Sequence, residues 1–280
     1  AVNSAAEAHR EHTRAEANLQ LAIRSLDGII DNIAKRGTPH SVELDLDEPQ
    51  PPPPETVITA ADAELLQTLL GFFDAFASQN RTDLKAETAA AHARVGDIQQ
   101  RLGRLEEAET AYREALGTYE HLAMESRGNA TCELARAKVL NELAITVSKQ
   151  GDMFEASGMH FRATRLLEHS PALMASNEGK FELARTLNLL GSIWDRMGFS
   201  APPTSPRRKG PEPRGNPPRP WDNREFDMLS SYARGTDRAL ALLHELADSD
   251  PGKAEYQLEL AQCHCNRARR SWMIGKPQDA

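Results

Sequence analysis

Aromatic residues make up only 5% of this 280-residue chain, so its apolar material is mostly Ala and Leu and cannot form a ring-filled core. Cysteine is nearly as scarce. Three thiols, Cys132, Cys263 and Cys265, are an odd count in a chain too long to need disulfide staples, which points to reduced cysteines in a reducing compartment and an expected cytoplasmic location. Long apolar runs are missing too. The longest, at 65–76 and 187–193, fall short of the ~18 residues of a membrane span, so no span is expected in this chain. Nor is there an excess of positive charge: at a net −8, no nucleic-acid footprint is expected over the surface.

The motifs of catalysis are absent as well. There is no Gly-rich phosphate loop with a strand lysine, no His-Arg-Asp or Asp-Phe-Gly tripeptide, no His-Glu-x-x-His and no nucleophile elbow. Two histidine arrangements remain. His9 and His12 stand at helical i,i+3 spacing without a third ligand, and read as a solvated helix face. In the Cys-His-Cys run at 263–265, residues two apart sit about 200° apart around a helix, so the thiols cannot converge on one ion. Neither a cofactor nor a metal is expected.

What the chain does have is an internal period. Residues 95–115, VGDIQQRLGRLEEAETAYREA, read as the end of one helix, a tight turn and the start of a second. Small residues recur late in the first helix at Gly96, Ala144, Gly191 and Ala268, and turn glycines recur at Gly103, Gly151, Gly198 and Gly275. Both columns step by 48, 47 and 77 residues, the last step being 47 plus a 30-residue insertion. Each unit buries its face on its neighbours, so an elongated body replaces a single central core.

Along the chain, 1–36 reads as one long helix with Leu19, Ala22, Leu26, Ile29 and Ile33 in a heptad-like seam. It either docks on the repeats or dimerises the chain. An acidic, Pro-rich linker spans 37–56, and 57–81 forms an amphipathic helix with Thr59 as N-cap and a broad Leu/Phe face that packs on the repeats. The helical pairs occupy 82–280, divided at about 82–128, 129–175, 176–250 and 251–280. The third carries a proline-rich insertion at 200–223, with eight prolines between Pro202 and Pro220, whose composition forbids a packed element. It contains a minimal PxxP and a Ser205-Pro206 step, patterns common enough by chance that a neutral insertion is the simpler reading.

The columns Val95-Gly96, Ala108, Tyr112 and Ala115 resemble the tetratricopeptide (TPR) motif, and Leu143-Ala144, Ala156, His160 and Ala163 follow it less closely. The period is longer than the usual ~34 residues and lies near the HEAT range, which keeps that superhelix open beside an irregular bundle. The fold class is all-α: a TPR-like helical-hairpin solenoid with an N-terminal long helix and a proline-rich insertion. More closely, 65–123 resembles the long-period TPR region C-terminal to the kinase domain of large bacterial serine/threonine protein kinases, particularly those of planctomycetes. The run AEANLQLAIRSLDGIIDNI resembles the segment linking a membrane span to such repeats. The resemblance implies a parent whose catalytic domain and anchor lie upstream, and a non-catalytic interaction scaffold in this chain. The alternative is a stand-alone adaptor dimerising through its N-terminal helix.

In a TPR stack the first helices line a concave groove that holds extended peptides. Asn141 and Asn188 occupy equivalent sites there, three residues before the small-residue column, with Cys265 at that site in the last repeat. Their amides would hold a peptide backbone, and Lys138, Lys149, Arg185 and Arg196 would pair with acidic side chains or a terminal carboxylate. The other reading has each Asn bonding to a neighbouring helix across the repeat interface. The last turn glycine and Ala column announce a second helix that Ala280 precedes, so a fragment that self-associates through its uncovered final helix is expected.

Overall fold

The structure is a computed structural model that describes residues 28, 59–79, 85–126, 128–197 and 235–273. The N-terminal helix at 1–36, the linker at 37–56 and the insertion at 200–223 therefore lie outside the described residues, Gly28 apart, as do Gly198 and Gly275. The described residues are all-helical, without strands: α1 (Ala60–Gln79), α2 (Lys85–Arg101), α3 (Leu105–Glu125), α4 (Ala130–Gln150), α5 (Met153–Glu168), α6 (Pro171–Ala175), α7 (Asn177–Arg196), α8 (Gly235–Ser249) and α9 (Ala254–Met273). Among them no helix is long and apolar enough to cross a membrane.

Local chemistry sets the helix ends. Asn129, Asp152 and Ser176 each turn a side-chain oxygen onto a first-turn amide of α4, α5 and α7, at 3.1, 2.8 and 3.0 Å, which satisfies donors the helix leaves open. Thr59 does the same for α1, accepting from Asp62 N at 3.1 Å. The turns α2–α3 and α4–α5 pass through Gly103 and Gly151 at φ +76° and +107°, a left-handed backbone that side chains with a Cβ rarely adopt.

α2–α3, α4–α5 and α7–α8 pack as pairs; α3, α5 and α8 then each pack on the first helix of the next pair, α4, α7 and α9. First helices also meet first helices, α2 with α4, α4 with α7 and α7 with α9. Lys85 at the start of α2 reaches Glu125 at the end of α3 at 2.8 Å, so this pair is antiparallel. Side chains link the second helices through Arg113–Glu155 at 2.8 Å, Arg162–Glu120 at 2.7 Å and Arg238–Glu168, exposed pairs of small energetic weight.

One apolar cluster runs through these layers from Ala89 to Cys263. A second joins α1 to the first pair, with Leu66, Leu69 and Phe73 against Ala91, Val95, Ile98 and Ala111. The small-residue column has a direct cause at its first member. A Cβ on Gly96 would stand 2.6 Å from Cε1 of Tyr112, whose ring is 1% exposed and whose hydroxyl donates to Asp97 Oδ1 at 2.7 Å. Pinned at both ends, that ring cannot move aside.

Gly96→Ala should therefore destabilise the protein by about 2 kcal/mol, as overpacking does. Gly117→Ala, at a helical site in α3 with nothing within 4 Å of the new Cβ, should stabilise it by about 0.5–1 kcal/mol. Urea unfolding of both variants checks this, and equal shifts would contradict the packing account.

Candidate functional site between the first helices

The two asparagines read as groove residues lie inside the stack. Asn141 on α4 is fully buried, and its Nδ2 donates to Glu182 Oε1 at 2.6 Å and to Thr186 Oγ1 at 2.7 Å, both on α7. Its Oδ1 meets Nδ1 of His160 on α5 at 2.8 Å. Asn188 on α7 is 2% exposed; its Nδ2 donates to Glu259 Oε1 on α9 at 2.8 Å and its Oδ1 accepts from Asn266 Nδ2 at 2.9 Å. Both amides are thus committed on their donor and acceptor sides to protein partners, and neither is presented to a ligand. The placement is that of asparagines bonding across helix interfaces, and it corrects the expectation that they hold a peptide.

The partners follow the period. Asn141 and Glu182 are 41 residues apart and Asn188 and Glu259 are 71 apart, a difference of 30 that matches the insertion. One amide-to-carboxylate contact therefore recurs at two successive interfaces. Sequence reasoning missed Glu182 and Glu259 as partners, yet the 77-residue step of the columns relates them directly, and that step would have found the pair.

Of the four cations, Arg185 is also spent inside. Its guanidinium bridges Glu142 on α4 and, at 3.4 Å, Glu182 on its own helix. Burial opposes its charge, but Glu142 and Glu182 outweigh that and push its pKa above the ordinary arginine value. Lys149 and Arg196 are exposed and come to one edge, Lys149 donating to Gln100 Oε1 at 3.3 Å and Arg196 to Ser148 Oγ at 3.3 Å. Burial is the main influence lowering the Lys149 pKa. Lys138 is exposed on α4, about three turns from Lys149 along the same helix. The structure therefore gathers two of the six predicted residues at a solvent edge and places three others within the interface.

The seam continues to α9, where Arg270 Nε contacts both oxygens of Asp195 at 2.8 and 3.1 Å and its Nη2 donates to Thr236 Oγ1 at 2.8 Å. Cys263 is buried and Cys265 exposed, so the two thiols diverge as their spacing requires. Among the described residues no group of three or more His, Cys, Asp or Glu side chains is placed to hold a metal ion. No protein-family model matches the chain, and no curated protein matches it.

His160 gives the seam a pH dependence. Asn141 turns its amine toward the acceptor-only carboxylate of Glu182, so its Oδ1 faces the imidazole and His160 carries its proton on Nδ1. Nε2 is buried without a hydrogen-bond partner. Burial, with the nearby Arg185 charge, lowers the His160 pKa to about 3. The unfolded chain, with an ordinary imidazole near ~6.5, then binds the extra proton between those values, so this contribution to stability is complete above pH ~6.5 and is lost as pH falls toward 3. Wild type should lose about 1.6 kcal/mol more than His160→Gln between pH 6.5 and 5, measured by urea unfolding. Equal losses would contradict a neutral buried imidazole.

Proposed function

We propose that this chain is a non-catalytic protein–protein interaction scaffold, a TPR-like solenoid belonging to a bacterial serine/threonine protein kinase, that carries peptides or partner proteins on its surface. The observation that carries the reading is the recurrence of one buried amide–carboxylate contact, at intervals of 41 and 71 residues, between consecutive first helices. A repeated internal joint builds an extended surface from copies of one unit, which is how solenoids bind. The packing order supports the TPR-like form: pair, next first helix, and first helix on first helix. So does the register of Gly96 against Tyr112.

Within this reading the asparagine ladder is the frame and the ligand meets the solvent side of the first helices, including the edge that bears Lys149 and Arg196. The kinase attachment rests on the resemblance of 65–123 and of the run AEANLQLAIRSLDGIIDNI.

Selection of a displayed random peptide library on the whole chain tests the scaffold. Enriched peptides with micromolar Kd, about −8 kcal/mol of binding free energy, are expected. No enrichment over a scrambled control, or phosphotransfer by this chain itself, would overturn the reading. The upstream reading frame should carry His-Arg-Asp and Asp-Phe-Gly motifs and then an apolar span of about 20 residues; a frame without them leaves the stand-alone adaptor.

A further inference from the structure

α9 presents to solvent a face that α4 and α7 bury. Ala137, Asn141 and Ala144 of α4 and Ala184, Asn188 and Gly191 of α7 stand at equivalent positions, and all are buried. Their cover comes from the second helix of the pair and from the next first helix: a Cβ on Gly191 would stand 2.7 Å from Thr236 Oγ1 on α8, and Asn188 reaches Glu259 on α9. On α9 the same columns hold Ala261, Cys265 and Ala268, preceded by Leu258. Leu258 is 74% exposed, Ala261 and Cys265 are exposed, and Ala268 is half-buried. Steps of three and four residues keep these side chains in one row, opposite Tyr256, Cys263 and Asn266, which are buried.

Two observations bear on what covers this face. Cys265 stands where Asn141 and Asn188 stand, so the amide that reaches a glutamate on the next first helix is replaced here by a thiol, which packs as a small apolar group. The face is therefore built for an apolar contact and not for another step of the seam. Its flank carries charge in a self-complementary order. Glu255, Gln262 and Arg269 follow one another at steps of seven along one side of the apolar row, and all are exposed. Glu255 meets Lys253 at 2.9 Å yet stays 55% exposed, and Arg269 has no ion pair among the described residues. Turned end for end about Gln262, the row matches itself, acid against base at both ends. A parallel copy would leave each Glu255 about 21 Å along the axis from the opposing Arg269.

We infer that the exposed face of α9 is a docking site for α9 of a second copy of this chain, the two helices running antiparallel about a two-fold axis at Gln262. Leu258 then packs on the second copy's Ala268 and Ala261 on its Cys265, while Glu255 faces its Arg269 in two symmetric pairs. The small side chains at the crossing let the helices approach closely. Antiparallel is also the sense in which α2 and α3 pair, so the second copy's helix takes the place beside α9 that a second helix takes beside α2. Exposed ion pairs add little adhesion, but they choose the orientation. One helix pair is a small interface, so the dimer is weak, with a Kd on the order of 10 μM. The pairing does not rest on the scaffold reading and stands or falls apart from peptide binding.

Sedimentation equilibrium of the whole chain, from about 1 to 200 μM, reads the association. Wild type should pass from monomer to dimer across that range. Leu258→Glu should weaken the dimer at least about tenfold and leave the melting temperature unchanged, because that side chain already lies in solvent. Glu255→Arg and Arg269→Glu should each weaken it about fivefold by setting like charges against one another, and the double variant should return to within about twofold of wild type. An equimolar mixture of the two single variants should form heterodimers in preference to either homodimer. Misfolding of a variant cannot produce that preference, so the mixture decides the orientation even where a single variant loses stability. A chain that stays monomeric throughout would overturn the inference. So would a dimer indifferent to Leu258→Glu, which would put the contact on another part of the chain, or a mixture without heterodimer preference, which would refute the antiparallel pairing.

Discussion

The stack depends on polar contacts buried between successive first helices. Asn141 and Asn188 each reach forward to a glutamate on the next first helix, Glu182 and Glu259, and each has its amide oxygen engaged as well. In a low-dielectric interface such a contact is expensive to leave half made, so sliding one helix along the next by a turn strands several groups at once. Apolar Ala and Leu surfaces supply adhesion but little discrimination between registers. The amide–carboxylate contact supplies the discrimination, and Arg270 on Asp195 and Thr236 repeats the principle at the last interface.

The same logic explains the residue facing each first helix from the second. Tyr112 and His160 stand in equivalent columns 48 residues apart, and both are buried groups with a polar tip bonded to the first helix of their own pair. In the first pair the ring needs the space of Gly96. In the second the smaller imidazole joins the Asn141 network, and a methyl at Ala144 is accommodated, fully buried. The second pair departs from the apolar-aromatic pattern because a hydrogen-bonded group has taken the place of a packed ring.

Helices, turns and period were legible in the sequence because each rests on local chemistry: left-handed glycines at Gly103 and Gly151, caps such as Thr59, and alanines at regular spacing. The equivalence of Asn141 and Asn188 was legible too, but a period states which residues match and not which way their common face points. Direction is set by helix packing over intervals of 41 and 71 residues, and an insertion hides the second interval. The helix α6 was missed because the five residues beginning at Pro171 carry no periodicity.

Function in this view divides between frame and surface. The frame uses the asparagines, Arg185 and the glutamates; under the proposed scaffold role, partners would meet what the frame leaves to solvent. A double-mutant cycle tests that division most directly, combining Asn141→Ala with Glu182→Ala and, separately, Asn188→Ala with Glu259→Ala, by urea unfolding. The account predicts a favourable coupling of about 1–2 kcal/mol in both cycles, the first being the larger because Asn141 and Glu182 are the more deeply buried. Additive losses in both cycles would contradict it.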